Sequence, residues 1–194
     1  MHLNPYGEYA VLLAASMANE PPTTGAEVHH RMRERGMTMD FPAHTDDLET
    51  TRAVIHEWLA VVDAEPESRA LLLNDIMARA AAYPRLVNHN DEGWHLHYRD
   101  SDQSVAEVLR SVIGVGTALH LTTRGMHRLH RCEAGFHPGD PCDNVVVDVT
   151  RNGRQRFCSV RCANRDAVRR HRARQRTEAT TSAFGAKRQH HPEG

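Results

Sequence analysis

The sequence predicts a mainly α-helical protein: an N-terminal helical domain carrying one β-hairpin, then a small C-terminal knuckle made of a second hairpin and a basic helix. Three observations carry this. Apolar residues recur at three- and four-residue steps over most of the first 126 positions, interrupted by strict alternation near residues 94–98. All four cysteines fall between positions 132 and 162. Arginine crowds the residues that follow them.

Composition sets the outer bounds. A hydrophobic fraction of 40% and a charged fraction of 25% are those of an ordinary globular chain, and 194 residues suffice for one domain or two small ones. No apolar run approaches the roughly 18 residues of a membrane span. The opening Met1-His2-Leu3-Asn4-Pro5 has neither the basic lead-in nor the apolar stretch of a signal peptide. The expected location is the cytoplasm, with no membrane contact. In that reducing compartment, four clustered cysteines point to metal ligation rather than to two disulfides. The net charge of -1 conceals an asymmetry. Ten arginines lie between positions 151 and 176 against one acid, Asp166, whereas Asp46, Asp47, Glu49, Asp63, Glu65, Glu67, Asp91 and Glu92 sit upstream. A basic segment beside an acidic body is the charge pattern of a nucleic-acid contact.

The elements follow in order. Residues 8–19 read as a helix through Tyr9, Leu12, Leu13, Ser16 and Met17, ended by Pro21-Pro22. Thr23-Thr24 offer an N-cap to a helix over residues 26–35, stopped by Gly36. After a loop over 37–45, Thr45, Asp46 and Asp47 cap a longer helix carrying Leu48, Ala53, Val54, Trp58, Leu59 and Val62, which Pro66 breaks. Residues 68–83 form the next helix, through Leu71, Leu72, Ile76 and Ala80. Residues 85–89 and 94–98 then alternate around a turn containing Gly93, the pattern of a β-hairpin. Ser104 caps the strongest helix, in which Val105, Val108, Leu109, Val112, Ile113, Gly116, Leu119, Thr123 and Met126 keep one face. Gly114 and Gly116 there permit either close packing or a bend.

The cysteines fall as Cys132, Cys142, Cys158 and Cys162. Zinc favours a tetrahedron of thiolates in structural sites. Cys158 and Cys162 are one helical turn apart, at a helix start whose dipole favours thiolate. Cys132 and Cys142 enclose a long loop rich in Gly and Pro, and His137 inside it is a rival ligand. One structural zinc ion per chain is expected, closed to substrate. Between the cysteine pairs, residues 145–147 and 154–157 read as two strands around Thr150-Arg151-Asn152-Gly153, with Asn-Gly as hairpin signal. The helix after Cys162 is expected to reach residue 176. Arg165, Arg169, Arg172 and Arg176 form one stripe with Arg170 and Arg174 beside it, and Ala163, Ala167, Val168 and His171 form the face that packs on the knuckle. Residues 177–194 read as a disordered tail, His190 and His191 included. The divisions are thus 1–127, 128–176 and 177–194.

Cys142-x5-Asp148-x-Thr150-Arg151-Asn152, then Arg156-Phe157-Cys158-Ser159 and Cys162-Ala163-Asn164-Arg165, with His171-Arg172-Ala173-Arg174 behind them, resembles the CGNR-type zinc finger of bacteria. Ala163 stands where that family has Gly, Phe157 where it usually has Trp, and the loop after Cys132 is longer than usual. Upstream, the helix ending at Ala18-Asn19, the helix over 45–62, Leu73-Asn74 and the hairpin over 84–98 are similar to the ABATE domain that precedes such fingers. The resemblance implies a stress-responsive transcription regulator with a helical sensor or assembly domain joined to a zinc-bearing DNA reader.

The function expected is therefore DNA-binding transcription regulation by a homodimer, double-stranded DNA being met by Arg156, Arg161, Asn164, Arg165, Arg169, Arg170, Arg172, Arg174 and Arg176. A small-molecule effector is allowed for, in a pocket drawing on Asn19, Asn74, Trp94 and His120. Singly, each has a plainer role: Asn19 as a C-cap, Trp94 as a hairpin anchor, His120 as a core histidine. The fifteen histidines invite an enzyme, but HExxH, a nucleophile elbow and a phosphate loop are absent, and no catalytic residue is assigned. An RNA-binding or assembly module is the alternative use of the same knuckle; Phe157 is the only aromatic near the arginines to stack on bases.

Overall fold

The computed structural model describes residues 5–35, 37, 44–80, 83–87, 95–97, 103–136 and 141–188. They form six α-helices and two small antiparallel strand pairs: α1 (Pro5–Asn19), α2 (Gly25–Glu34), α3 (Asp47–Asp63), α4 (Pro66–Ala80), β1 (Arg85–Val87), β2 (His95–His97), α5 (Val105–Arg124), β3 (Leu129–Arg131), β4 (Val145–Val147) and α6 (Val160–Arg188). The mainly helical class with a hairpin upstream and a strand-and-helix knuckle at the end is what forms.

Local chemistry sets the helix starts. The Thr24 hydroxyl accepts the Glu27 N–H at the head of α2. Ser104 and Glu107 close a reciprocal capping box on α5. At α3, Asp46 takes the cap position without a side-chain bond; the work is done inside the helix by buried Asp47, whose carboxylate accepts the His44 N–H at 2.6 Å and meets the His29 ring at 2.9 Å. Pro66 does not merely break a helix. It opens α4 at the first position, where its missing N–H costs nothing, so α4 begins two residues earlier than the periodicity suggests.

The five N-terminal helices share one main core. Leu13 and Met17 of α1, Val28 and Met32 of α2, Trp58 and Val61 of α3, Leu73 and Ile76 of α4 and Leu109 and Ile113 of α5 are buried together. Trp58 donates its indole N–H to the Thr117 hydroxyl at 2.9 Å, so its one polar atom is satisfied inside that core. Buried Arg69 reaches back to the end of α3, donating to the Val61 and Val62 carbonyls at 2.9 and 2.8 Å, and to the Met126 carbonyl. The glycines of α5 serve close packing and not a bend. A Cβ on Gly116 would stand 2.4 Å from the Ala10 Cβ, and one on Gly114 would stand 2.7 Å from Ile76 Cγ2. Among the described residues α5 has the length and apolarity of a membrane span, yet 67% of that stretch is buried against its neighbours, as in a core helix.

Leu129, Val145 and Val147 belong to this same cluster. The apolar core therefore runs through the second strand pair and up to the cysteines. Beyond them, α6 continues unbroken to Arg188, past the point where a disordered tail is expected; residues 189–194, with His190 and His191, lie outside the described residues.

Candidate metal centre and the basic helix

The strand pair that carries the cysteines is not the one the Asn-Gly signal suggests. β4 pairs with β3, in the register Leu129↔Val147, His130↔Val146 and Arg131↔Val145, and residues 154–157 form no strand. The turn itself is as expected, with Gly153 at φ +66°. What replaces the expected ladder is a set of single bonds. The Glu133 N–H donates to the Arg156 carbonyl at 3.0 Å, and the His130 ring lies 3.0 Å from the Gln155 carbonyl.

Asp148 organises that turn. It is buried, and it accepts the Thr150 N–H at 2.8 Å and the Gln155 N–H at 3.0 Å, with the Thr150 hydroxyl and the Arg128 guanidinium (3.4 Å) as further partners. Burial alone would raise its pKa; the bonds from Thr150 and Gln155 and the charge on Arg128 outweigh burial and hold it below the ordinary value. Arg128 also donates to the Thr150 carbonyl at 2.6 Å and lies against Gly153, where a Cβ would be 2.6 Å from its Cζ. Sequence reading quoted Asp148 in a motif and gave Arg128 no role; their spacing to the Asn-Gly turn is the signal that points to both.

This frame brings the four sulfurs together. Cys132 follows β3 directly, and its N–H donates to the Asn144 carbonyl at 2.8 Å beside Cys142. Cys158 and Cys162 bracket the first turn of α6, where the Ser159 hydroxyl accepts the Cys162 N–H at 3.2 Å. All four Sγ atoms lie within 4.8 Å of one another, Cys142 to Cys158 and Cys158 to Cys162 being 3.6 Å apart, and none is in a disulfide. Zinc–sulfur bonds of about 2.3 Å in a tetrahedron separate the sulfurs by about 3.8 Å, so the donor set fits one ion. Cys132 and Cys162 are buried, while Cys142 and Cys158 are partly exposed.

The four thiols do not share one electrostatic setting. Burial pushes the thiols of Cys132, Cys142 and Cys158 up, whereas the hydrogen bond with Ser159 draws Cys162 down. A divalent cation is what makes four neighbouring thiolates tolerable. Outer donors share the load. The Cys158 N–H points to Cys132 Sγ at 3.4 Å, the Asn144 amide to Cys158 Sγ at 3.5 Å and the Arg165 guanidinium to Cys162 Sγ at 3.6 Å. Four thiolates leave no open position, so the metal's task is to hold the chain. His137 lies outside the described residues.

β4 is the wall between two cores. Val145 and Val147 face the helices, and Val146 packs with Cys132, Ala134 and Cys162 on the other side. The Asn19 side chain, at the end of α1, clamps this wall: it donates to the Val145 carbonyl at 3.0 Å and accepts the Val145 N–H at 2.6 Å. Asp63 adds a two-bond ion pair to Arg131, both contacts 2.7 Å. A cleft of about 590 Å³ opens between the end of α1 and the cysteines, lined among others by Asn19, Cys142, Ser159, Arg161 and Arg165.

The other predicted residues fall as follows. Asn19 is a clamp across 126 residues and not a C-cap, Asn74 is exposed on α4, and Trp94 lies outside the described residues. His120 is buried in α5, and neither ring nitrogen has a hydrogen-bond partner among the described residues; burial first, then the Arg124 charge, pushes its pKa down. Asn19 lines the cleft beside Cys142, and His120 is not among that cleft's lining residues. On α6, Arg169 and Arg170 pair with buried Asp166, the latter at 2.7 Å. Arg156 pairs with Glu133 and sits 5.7 Å over the Phe157 ring. Arg161, Arg172, Arg174 and Arg176 are exposed. The packing face is corrected. Cys162 and Asp166 point inward, whereas Ala167, Val168 and His171 are exposed, because α6 touches the knuckle only through its first turns.

Fold and site together define a structural zinc finger of the four-cysteine kind on a helical body. Comparison with known families agrees: the model of the CGNR zinc finger matches residues 128–175. No curated protein matches the chain.

Proposed function

We propose that the protein is a cytoplasmic DNA-binding transcription regulator that uses the zinc finger to aim α6 at duplex DNA. One observation carries this reading: from Arg170 onward every described side chain of α6 as far as Glu178 is exposed, and five of those nine residues (170, 172, 174 and 176 as arginine, 171 as histidine) can carry positive charge against a single acid. Guanidiniums crowded on one helix repel one another, and a polyanion removes that cost. The upstream helices are read as an ABATE-like sensor and assembly domain. Leu71, Tyr83, Leu86 and Leu96 leave large apolar surface exposed around α4 and the first hairpin, which supports a homodimer there. The cleft beside Cys142 is where a small-molecule effector would touch both the helical body and the root of α6. A closed four-thiolate site offers substrate no coordination position, which supports a binding protein rather than an enzyme.

Fluorescence anisotropy with labelled duplex DNA from upstream of its own gene tests the reading. Affinity is expected to fall steeply with salt, at about 0.9 logarithmic units per phosphate neutralised. Replacing Arg172 and Arg174 together by alanine should flatten that slope by about two phosphates. Equal affinity for heparin and for the duplex, or preference for an RNA of the same sequence, ends the proposal.

A further inference from the structure

The outer face of α6 is unlike its flanks. At about 100° per residue, positions 160, 164, 167 and 171 fall within a sector of about 60°, with 168 about 40° beyond one edge. They are Val160, Asn164, Ala167, His171 and Val168, and all five are exposed, Val160 at 76% and Val168 at 51%. The Asn164 amide makes no hydrogen bond among the described residues. Arginines stand on both sides of this stripe: Arg161 and Arg172 on one flank, Arg170 and Arg174 on the other. Cys162 and buried Asp166 occupy the opposite face and tie it to the finger. Between Val160 and His171 this exposed stripe holds no Asp, Glu, Lys or Arg while arginines line both its edges, a division that a merely solvated helix has no reason to keep.

We propose that this stripe reads base edges in the major groove of duplex DNA, with Asn164 addressing an adenine and the flanking arginines holding the phosphates. The inference rests on the DNA-binding reading above and assigns the division of labour within it. A major groove about 12 Å wide admits a helix, and its edges carry the groups such a stripe matches. An amide pairs bidentately with adenine N6 and N7, and valine or alanine methyls pack on the thymine methyl. Phosphates, in contrast, lie on both walls of the groove, where the two arginine flanks would meet them. The deep, narrow major groove of A-form RNA does not admit a helix. A second copy of the chain would set arginine against arginine along both edges, so like charge disfavours it as the occupant.

The test uses the full-length, zinc-loaded protein. Duplexes are selected from a random pool, and affinities are then measured at one salt concentration for the selected duplex and for one with its common adenine replaced. The wild type is expected to lose about tenfold to a hundredfold on the replaced duplex. Asn164→Ala should lose as much on the selected duplex and little more on the replaced one, because the partner of the base is already gone. Arg172→Ala should weaken both duplexes alike. The inference is overturned if Asn164→Ala still discriminates the two duplexes as the wild type does, or if A-form duplex RNA is bound equally well; the DNA-binding reading then survives or falls by itself on the wild-type measurement. Zinc content and helix signal of the variants confirm that these exposed substitutions leave the fold intact.

Discussion

The two strand pairs have the same size and opposite surroundings. β1 and β2 pair residue for residue over Arg85–Val87 and His95–His97, and their central pair, Leu86 opposite Leu96, faces solvent at 64% and 46% exposure. β3 and β4 pair over the same length, but all of Val145, Val146 and Val147 are buried. Three backbone pairs do not stabilise a hairpin alone in water. The second pair gains its permanence from outside the ladder: helices on one side, the four cysteines on the other, and the Asn19 clamp at one edge. What most separates the two pairs is what covers them.

That contrast can be broken at several levels. The largest effect is expected from Cys158→Ser or Cys162→Ser. Structural zinc in small fingers is worth on the order of 10 kcal/mol or more of folding free energy. Zinc content should fall from one per chain toward zero, and exchange protection of the amides at the base of α6 should vanish, while α1–α5, held by their own core, keep their helical signal. Retention of full zinc by either variant would remove that site from the ligand set. Next comes Asn19→Ala, which deletes two hydrogen bonds and leaves the Val145 N–H without a partner in a buried strand. A loss of about 2 kcal/mol in urea unfolding is expected; a change below half that would show the clamp to be incidental.

Acid should reveal Asp148. Its folded pKa lies below the ordinary carboxylate value, so its stabilisation is present in full above that value and is lost as pH falls through the folded pKa. Asp148→Asn should flatten the acid limb of stability against pH relative to the wild type; an unchanged limb would reassign the effect to other carboxylates. The smallest effect is expected at the first hairpin. Leu96→Thr should change stability by less than about 0.5 kcal/mol, as exposed substitutions do. A cost above 1 kcal/mol that grows with protein concentration would place a subunit contact there.

Much of this was legible because it was local. Ser104 at the head of α5, Thr24 at the head of α2, and the helical steps through α5 each state their structure within one turn of chain. The four cysteines were legible because few chemistries need them so close together. What escaped was partner choice. Asn152-Gly153 announces a turn with positive φ, and the turn is there, but β4 takes β3 as its partner because Cys132 and Cys142 must meet across that pair. Asn19 escaped because nothing near it mentions Val145. The inner face of α6 was misread since Ala167, Val168 and His171 satisfy an amphipathic pattern on a helix that has no surface to lie on beyond Asp166. The run from 177 to 188 was read as disordered for lack of apolar residues, yet a helix already nucleated and anchored propagates on backbone bonds alone.

That anchoring makes α6 a cantilever. Twenty-nine residues at about 1.5 Å each make an arm of about 43 Å, held at its root by Cys158, Cys162 and the buried Asp166. A rotation of about 10° at the root swings the far end by about 7 Å, roughly two base pairs of duplex. Small rearrangements between the end of α1 and the first turn of α6 would be magnified at the far end of such an arm. In mechanical terms the sulfurs act as a bearing, and the cleft beside them is the place where a modest push has the greatest leverage.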